Sequence, residues 1–303
     1  MQVVVAGGSG LIGKMLIDRL LQAHHEVTLL SRTPEKAKKY FASVHVEFWN
    51  TKINRALVDI LDGIDAVINL AGEPIGAKRW TQIQKERILS SRIESTQAIV
   101  SAIKQTKCKP SVLLNASAVG YYGNVPVGEV TEANPKGTGF LAGVCELWEA
   151  EALKAQEFGV RIVLLRTGIV IDKNGGALHK LLFPFQFFIG GPLGSGKQCF
   201  PWIHIKDEVD AILFAMENKY IKGPLNLAAP ESLQMLEFCR KLGKVLHRPS
   251  WMHVPAFMLR LALGEMAEPL LLHGQKMISQ KLIDGGFKFQ FPKLEDALKD
   301  LLT

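Results

Sequence analysis

The feature that most constrains the fold lies at residues 7–13. Gly7-Gly8-Ser9-Gly10-Leu11-Ile12-Gly13 follows the apolar run Val3-Val4-Val5-Ala6. It opens a stretch in which Leu11, Met15, Ile17, Leu20 and Leu21 recur near helical spacing. Glycines at G-x-x-G-x-x-G spacing between a strand and a helix serve a tight turn, close approach of backbone to a pyrophosphate, and close helix–strand packing. The phosphates then sit at the helix N-terminus, where free N–H groups and the dipole favour negative charge. The glycine pattern alone is a weak signal. In a strand–turn–helix setting it points to a dinucleotide site built from Gly7, Ser9, Gly10, Leu11, Ile12 and Gly13.

The rest of the chain continues the alternation. Short apolar runs at 26–31, 44–48, 66–70, 112–117, 161–166 and 225–228 read as strands, and helices are clearest at 82–103 and 140–158. Continuous apolar strands alternating with helices predict an α/β chain with a doubly wound parallel sheet of the Rossmann type, about seven strands wide. After about residue 170 the alternation fades into stretches rich in Gly, Pro and aromatics. This predicts a dinucleotide-binding domain over 1–170, with a segment near 205–228 returning to it, and a smaller C-terminal substrate lobe and helical tail over 171–303.

Composition narrows the partners. Lys and Arg number 36 against 29 Asp and Glu, a formal charge of +7. No dense basic run with interleaved aromatics occurs, so nucleic acid is not expected. The apolar stretch 254–273 is interrupted by Arg260, Glu265, Glu268 and Pro269, so no membrane partner is expected. No basic segment precedes the first strand, and the four scattered cysteines include no C-x-x-C pair. A cytoplasmic protein with reduced thiols and no metal is therefore expected, as a monomer or homodimer.

The end of the second strand reads Leu30-Ser31-Arg32-Thr33, where an acid would bind a ribose 2′-hydroxyl. A guanidinium at Arg32 suits a 2′-phosphate instead, with Ser31 or Thr33 adding a hydrogen bond, so NADP(H) is expected over NAD. Asn69-Leu70-Ala71-Gly72 ends the fourth strand with small residues where a cofactor would pass.

These motifs resemble the extended or atypical short-chain dehydrogenase/reductase superfamily, and more narrowly its YfcH-like, sugar-nucleotide-epimerase-like branch. The resemblance rests on the glycine loop, Asn69-Leu-Ala-Gly-Glu-Pro-Ile75, Arg79-Trp80 and Ser91-Arg-Ile-Glu-Ser-Thr96. It continues through Ser117-Ala-Val-Gly-Tyr-Tyr-Gly123, Leu165-Arg-Thr-Gly168, Gly190-Gly-Pro-Leu-Gly-Ser-Gly196 and Phe200-Pro-Trp-Ile-His-Ile-Lys-Asp207. It implies an NADP(H) site to which Ser117 and Arg166 also contribute. It further implies a Ser or Thr that orients a substrate oxygen, a Tyr that moves its proton, and a Lys four residues later that lowers the Tyr pKa.

Ser117 fits the first role. The pair that should follow is missing: the residues four after Tyr40, Tyr121, Tyr122 and Tyr220 are Val44, Val125, Pro126 and Pro224. Phe140 stands in for the Tyr, and Val144 or Cys145 falls near the Lys position. Tyr121 and Tyr122 remain as replacement acids, so the catalytic candidates are Ser117, Tyr121 and Tyr122. Glu146 and Glu149 read as surface carboxylates, Asp207 as a helix cap, and His204 as either a ligand contact or a structural histidine. Two functions stay open: an epimerase-like or oxidoreductase-like protein acting on a polar small molecule, and a catalytically silent NADP(H)-binding regulatory protein.

Overall fold

A computed structural model describes residues 1–303. Strands β1 (Gln2–Ala6), β2 (Glu26–Ser31), β3 (His45–Phe48), β4 (Ala66–Asn69) and β5 (Val112–Ala118) come first. Then follow β6 (Val125–Val130), β7 (Arg161–Thr167), β8 (Ile169–Asp172), β9 (Cys199–Phe200), β10 (Trp202–His204) and β11 (Gly223–Leu227). The helices are α1 (Leu11–Gln22), α2 (Pro34–Tyr40), α3 (Arg55–Leu61), α4 (Gln82–Gln105), α5 (Phe140–Leu153), α6 (Gly176–Gln186), α7 (Ile205–Glu217), α8 (Met235–Leu246) and α9 (Ala256–Leu263), with two short ones after them.

Seven strands form one parallel sheet in the order β11-β7-β5-β4-β1-β2-β3. The fold is α/β and Rossmann-like. Val3, Val5 and Leu29 pack on one face against Leu16 and Ile17 of α1 and Ile212 of α7. Val4, Val67 and Leu113 pack on the other against Ile99 and Ile103 of α4. Both faces are thus covered, which is why these strands are apolar without alternation. The order reverses between β1 and β4, so a crevice opens beyond their carboxyl ends. Ligands of open α/β sheets bind in such crevices.

Most residues after β7, other than α7 and β11, pack apart from the sheet. A separate core there joins Phe185, Trp202, Phe238, Leu242 and Leu298, and Leu11, Ile12 and Met15 of α1 pack against it. The lobe therefore rests on the helix that the glycine loop starts. Gly76, in the loop after β4, accepts a hydrogen bond from Lys180 Nζ of α6 at 2.7 Å, which ties that loop to the lobe. No helix is long and apolar enough to cross a membrane.

Two local expectations change. The expected cap, Asp207, instead accepts hydrogen bonds from the backbone N–H groups of Gln290 (2.7 Å) and Phe291 (2.9 Å). His204 caps α7, its ring Nδ1 accepting from Lys206 N–H at 3.1 Å. Its ring stacks on Phe291 at 3.9 Å. Burial lowers its pKa to about 4, so the ring stays neutral as a cap acceptor must. His204 is structural.

Candidate functional site

The three motif glycines have different surroundings. Gly7 has φ +81°, and a Cβ there would lie 2.6 Å from the Leu70 carbonyl carbon. The turn after β1 thus touches the segment after β4. At Gly13 a Cβ would lie 2.5 Å from Gly8 Cα, so α1 packs backbone to backbone on the loop. Gly10 is exposed, and a Cβ there would meet nothing nearer than Gly7 O at 3.4 Å. Two glycines are required by the fold itself; the third leaves open space. Gly10 also precedes α1 with no side-chain cap, and the first turn carries no acid. The N–H groups of Leu11 and Ile12 point from an uncapped helix end, an arrangement suited to a phosphate. Ser9 is exposed beside them.

At the end of β2, Ser31 is buried and its Oγ accepts from Thr33 N–H at 3.1 Å. The serine therefore shapes the turn. Arg32 is exposed and makes no ion pair, and Thr33 is exposed next to it. At the end of β4, Asn69 is buried beside Asn115 in register. Its amide donates to Asn115 Oδ1 (2.7 Å) and Thr96 Oγ1 (3.0 Å), and its Oδ1 accepts from Ala71 N–H. Trp148 Nε1 completes the group by donating to Thr96 Oγ1 at 2.9 Å. This network fixes the path of Leu70, Ala71 and Gly72 across the crevice. Arg92 adds to it by donating to Glu73 O at 3.0 Å.

A second polar cluster lies farther along the sheet. Ser117, Arg166 and Asn226 are lateral neighbours on β5, β7 and β11. All three are buried. Arg166 grips Glu149 of α5 with two bonds, Nε to Oε1 (2.9 Å) and one terminal nitrogen to Oε2 (2.8 Å). Ser117 Oγ donates to the same carboxylate at 2.6 Å. Arg166 also donates to the Tyr122 hydroxyl (3.0 Å), which donates to Asn226 Oδ1 (2.6 Å). Burial works against the guanidinium's charge, but the bonds and charge of Glu149 outweigh it and raise the Arg166 pKa. Burial pushes the Tyr122 phenol up.

This arrangement revises several expectations. Arg166 was expected among the cofactor ligands; its donors are spent on Glu149 and Tyr122. Ser117 and Tyr122 were expected at the reacting atoms; both are buried members of the same network. Glu149 was read as a surface carboxylate; it is the buried counter-ion. Tyr121 differs from its neighbour. It is half-buried, its ring lies 3.5 Å from the Arg166 guanidinium, and its hydroxyl has no side-chain partner.

The helix expected to carry the Tyr–Lys pair is α5. Phe140 turns toward Trp80, with ring centroids 5.1 Å apart, so it does not stand in for the Tyr. Leu141 and Cys145, four residues apart, face the end of β5 instead. Leu141 Cβ would lie 3.1 Å from a Cβ at Gly120, and Cys145 Sγ lies 3.8 Å from Ala118 O. Burial pushes the Cys145 thiol up to about 11, so it stays protonated and is not a nucleophile near neutral pH. On the sheet face opposite Ser117 and Arg166, Ala118 of β5 pairs with Thr167 of β7. Thr167 Oγ1 lies 2.8 Å from Glu208 Oε1. Glu208 is fully buried, its Oε2 has no partner, and burial pushes its pKa up to about 8.

Sequence reasoning missed Glu149, Asn115, Asn226 and Glu208. One signal was available for the first: an arginine inside the apolar strand 161–167 requires a buried carboxylate, because an unpaired charge there is prohibitive.

The sequence model of the NAD dependent epimerase/dehydratase family matches residues 3–228. The chain belongs to this family. A domain of unknown function, DUF1731, matches residues 254–301. The chain is similar over its whole length to a chloroplastic epimerase family protein, an SDR39U1 homolog, of Arabidopsis thaliana, at 40% identity and 87% coverage of that protein. It is 38% identical to the epimerase family protein YfhF of Bacillus subtilis, covering all of this chain and 98% of that one. Among solved structures, human epimerase family protein SDR39U1 with NADPH superposes with a TM-score of 0.89 at 34% identity, covering 99% of each chain. A UDP-glucuronic acid 4-epimerase of Bacillus cereus shares the fold, at a TM-score of 0.77 and 21% identity.

Proposed function

We propose that this epimerase-family chain binds NADP(H) and uses it on a polar small molecule without the family's Tyr–Lys pair. The observation that carries the cofactor assignment is the exposed, unpaired Arg32 at the end of β2, the strand paired with the one that leads into the open glycine loop. Arg32 would take the 2′-phosphate, and the N–H groups of Leu11 and Ile12 the pyrophosphate. Ser9, Thr33 and the Leu70–Gly72 segment would line the remaining path. The human relative holding NADPH supports the same reading. A bound nicotinamide supplies or accepts a hydride.

The chain's own part is then proton transfer and positioning. Tyr121 carries the one phenol of the two in the Tyr121-Tyr122 pair that no side chain engages. The Arg166 guanidinium lies 3.5 Å from its ring centroid, which puts a cation beside the phenol. Ser117, Glu149, Tyr122 and Asn226 are positioning residues that hold Arg166. A specific observation supports the silent alternative: Leu141, Cys145 and Ala118, around the end of β5, offer no acid.

Titration with NADPH and NADH tests the first part, with NADPH expected to bind at least about tenfold tighter through the 2′-phosphate pairing. Equal affinities overturn it. For the chemistry, oxidation of bound NADPH is followed by absorbance against a panel of sugar nucleotides and small carbonyl compounds. Turnover that Tyr121→Phe abolishes while NADPH affinity holds supports the assignment. Turnover that survives the substitution removes Tyr121 from it. No turnover across the panel sustains the silent reading.

A further inference from the structure

The lobe displays aromatic side chains that no part of the fold covers. Phe183, Phe187, Phe188 and Trp251 are each more than half exposed. They form one patch. The Phe183 and Phe187 rings lie 5.0 Å apart, and Trp251 Nε1 donates to Phe188 O at 2.9 Å. Between them Phe185 is fully buried and anchors the segment in the lobe core. Phe188 has φ +62°, a region that bulky residues rarely adopt, and its side chain is exposed. A contiguous apolar patch of this kind marks an interaction face.

Charge identifies the occupant. The patch residues lie within the stretches 173–206 and 238–264, which contain nine Lys and Arg and no Asp or Glu. These stretches carry nine positive charges, whereas the rest of the chain has 27 Lys and Arg against 29 Asp and Glu. Lys206, Lys241, Lys244 and Arg260 pair with carboxylates from other segments. Lys173, Lys197, Arg240 and Arg248 have no carboxylate partner, and the Arg248 guanidinium lies 4.4 Å from the Phe188 ring centroid. A second copy of the same face would oppose these cations to themselves.

We infer that this aromatic and cationic face of the lobe docks the protein peripherally on an anionic lipid surface. Trp and Phe side chains enter the interfacial region while Arg and Lys meet lipid phosphates. The inference departs from the expectation of no membrane partner, which concerned a spanning segment. It does not rest on the cofactor reading.

The test is co-sedimentation of the full chain with vesicles of phosphatidylcholine alone, or of phosphatidylcholine containing about 30% phosphatidylglycerol, at low and high salt. Sedimentation with the anionic vesicles at low salt, reduced at high salt, is expected. Trp251→Glu and, independently, Phe187→Glu should each lower the bound fraction about tenfold or more, with NADPH affinity and circular dichroism unchanged. Tyr220→Glu, at an exposed ring elsewhere, should change nothing. The inference is overturned if the chain stays in the supernatant, if both patch variants sediment like the parent, or if light scattering shows a dimer that Trp251→Glu dissociates while vesicles capture none.

Discussion

The two ends of the crevice treat their polar groups in opposite ways. At the glycine-loop end, the groups proposed to meet the cofactor are uncommitted: Gly10 faces open space, α1 has no cap, and Arg32 has no ion pair. At the β5–β7 end, the groups that ought to do chemistry are spent on each other. Ser117, Glu149, Arg166, Tyr122 and Asn226 close into one buried network. A motif residue at the expected position is therefore not yet a functional residue. Availability is decided by whether the fold gives its hydrogen-bonding groups other partners.

The largest effect that sharpens this contrast is on the committed end. Arg166→Met leaves Glu149 buried without its counter-ion, and chemical denaturation should register a loss of about 3–5 kcal/mol. A loss below about 1 kcal/mol would show that the network is not closed as described.

Next comes a pair within the glycine loop. Gly13→Val places a Cβ against backbone that cannot move and should lower thermal stability sharply. Gly10→Val should leave the melting temperature nearly unchanged while weakening NADPH binding by about a hundredfold, because its Cβ occupies the ligand's space. Equal melting temperatures for the two variants would erase the distinction between structural and ligand-facing glycines.

A smaller change is expected from Arg32→Glu. Calorimetric titration should show NADPH affinity falling about tenfold, with NADH little affected. Equal loss for both cofactors would place Arg32 elsewhere than at the 2′-phosphate.

A pH dependence is expected from Glu208. Its carboxyl sits at about 8 in the folded chain, above the usual carboxylate value. The folded state then holds a proton that the unfolded state releases. The contribution is fully present below about pH 4.5 and is lost as pH rises through about 8. Melting temperatures of the parent should fall over that window relative to Glu208→Gln, which has nothing to titrate there. Parallel curves for the two would show that Glu208 does not carry the proton.

The sequence alone determined the sheet. Apolar runs bounded by turn residues, with helical periodicity between them, leave a parallel doubly wound arrangement as the economical way to bury both strand faces, and β1 to β5 and β7 fall close to where the runs lie. The glycine spacing and Arg32 were legible as a cofactor proposal as well, because such a pattern is local: one turn, one helix end and one strand end suffice. The absent Tyr–Lys pair was equally legible, since it needs only two positions on one helix.

The partners of Ser117 and Arg166 were decided by tertiary structure. Glu149 lies 32 residues from Ser117, and Asn226 lies 104 from Tyr122. Parallel strand register brings Ser117, Arg166 and Asn226 side by side, and no local pattern encodes which carboxylate will cover them. The rotation of α5 was likewise invisible, since adjacent apolar residues look alike in sequence; packing turned Phe140 to Trp80 and left Leu141 at the strand end. Local chemistry is written in neighbouring residues, whereas the availability of a side chain depends on groups that only the folded chain brings within hydrogen-bond range.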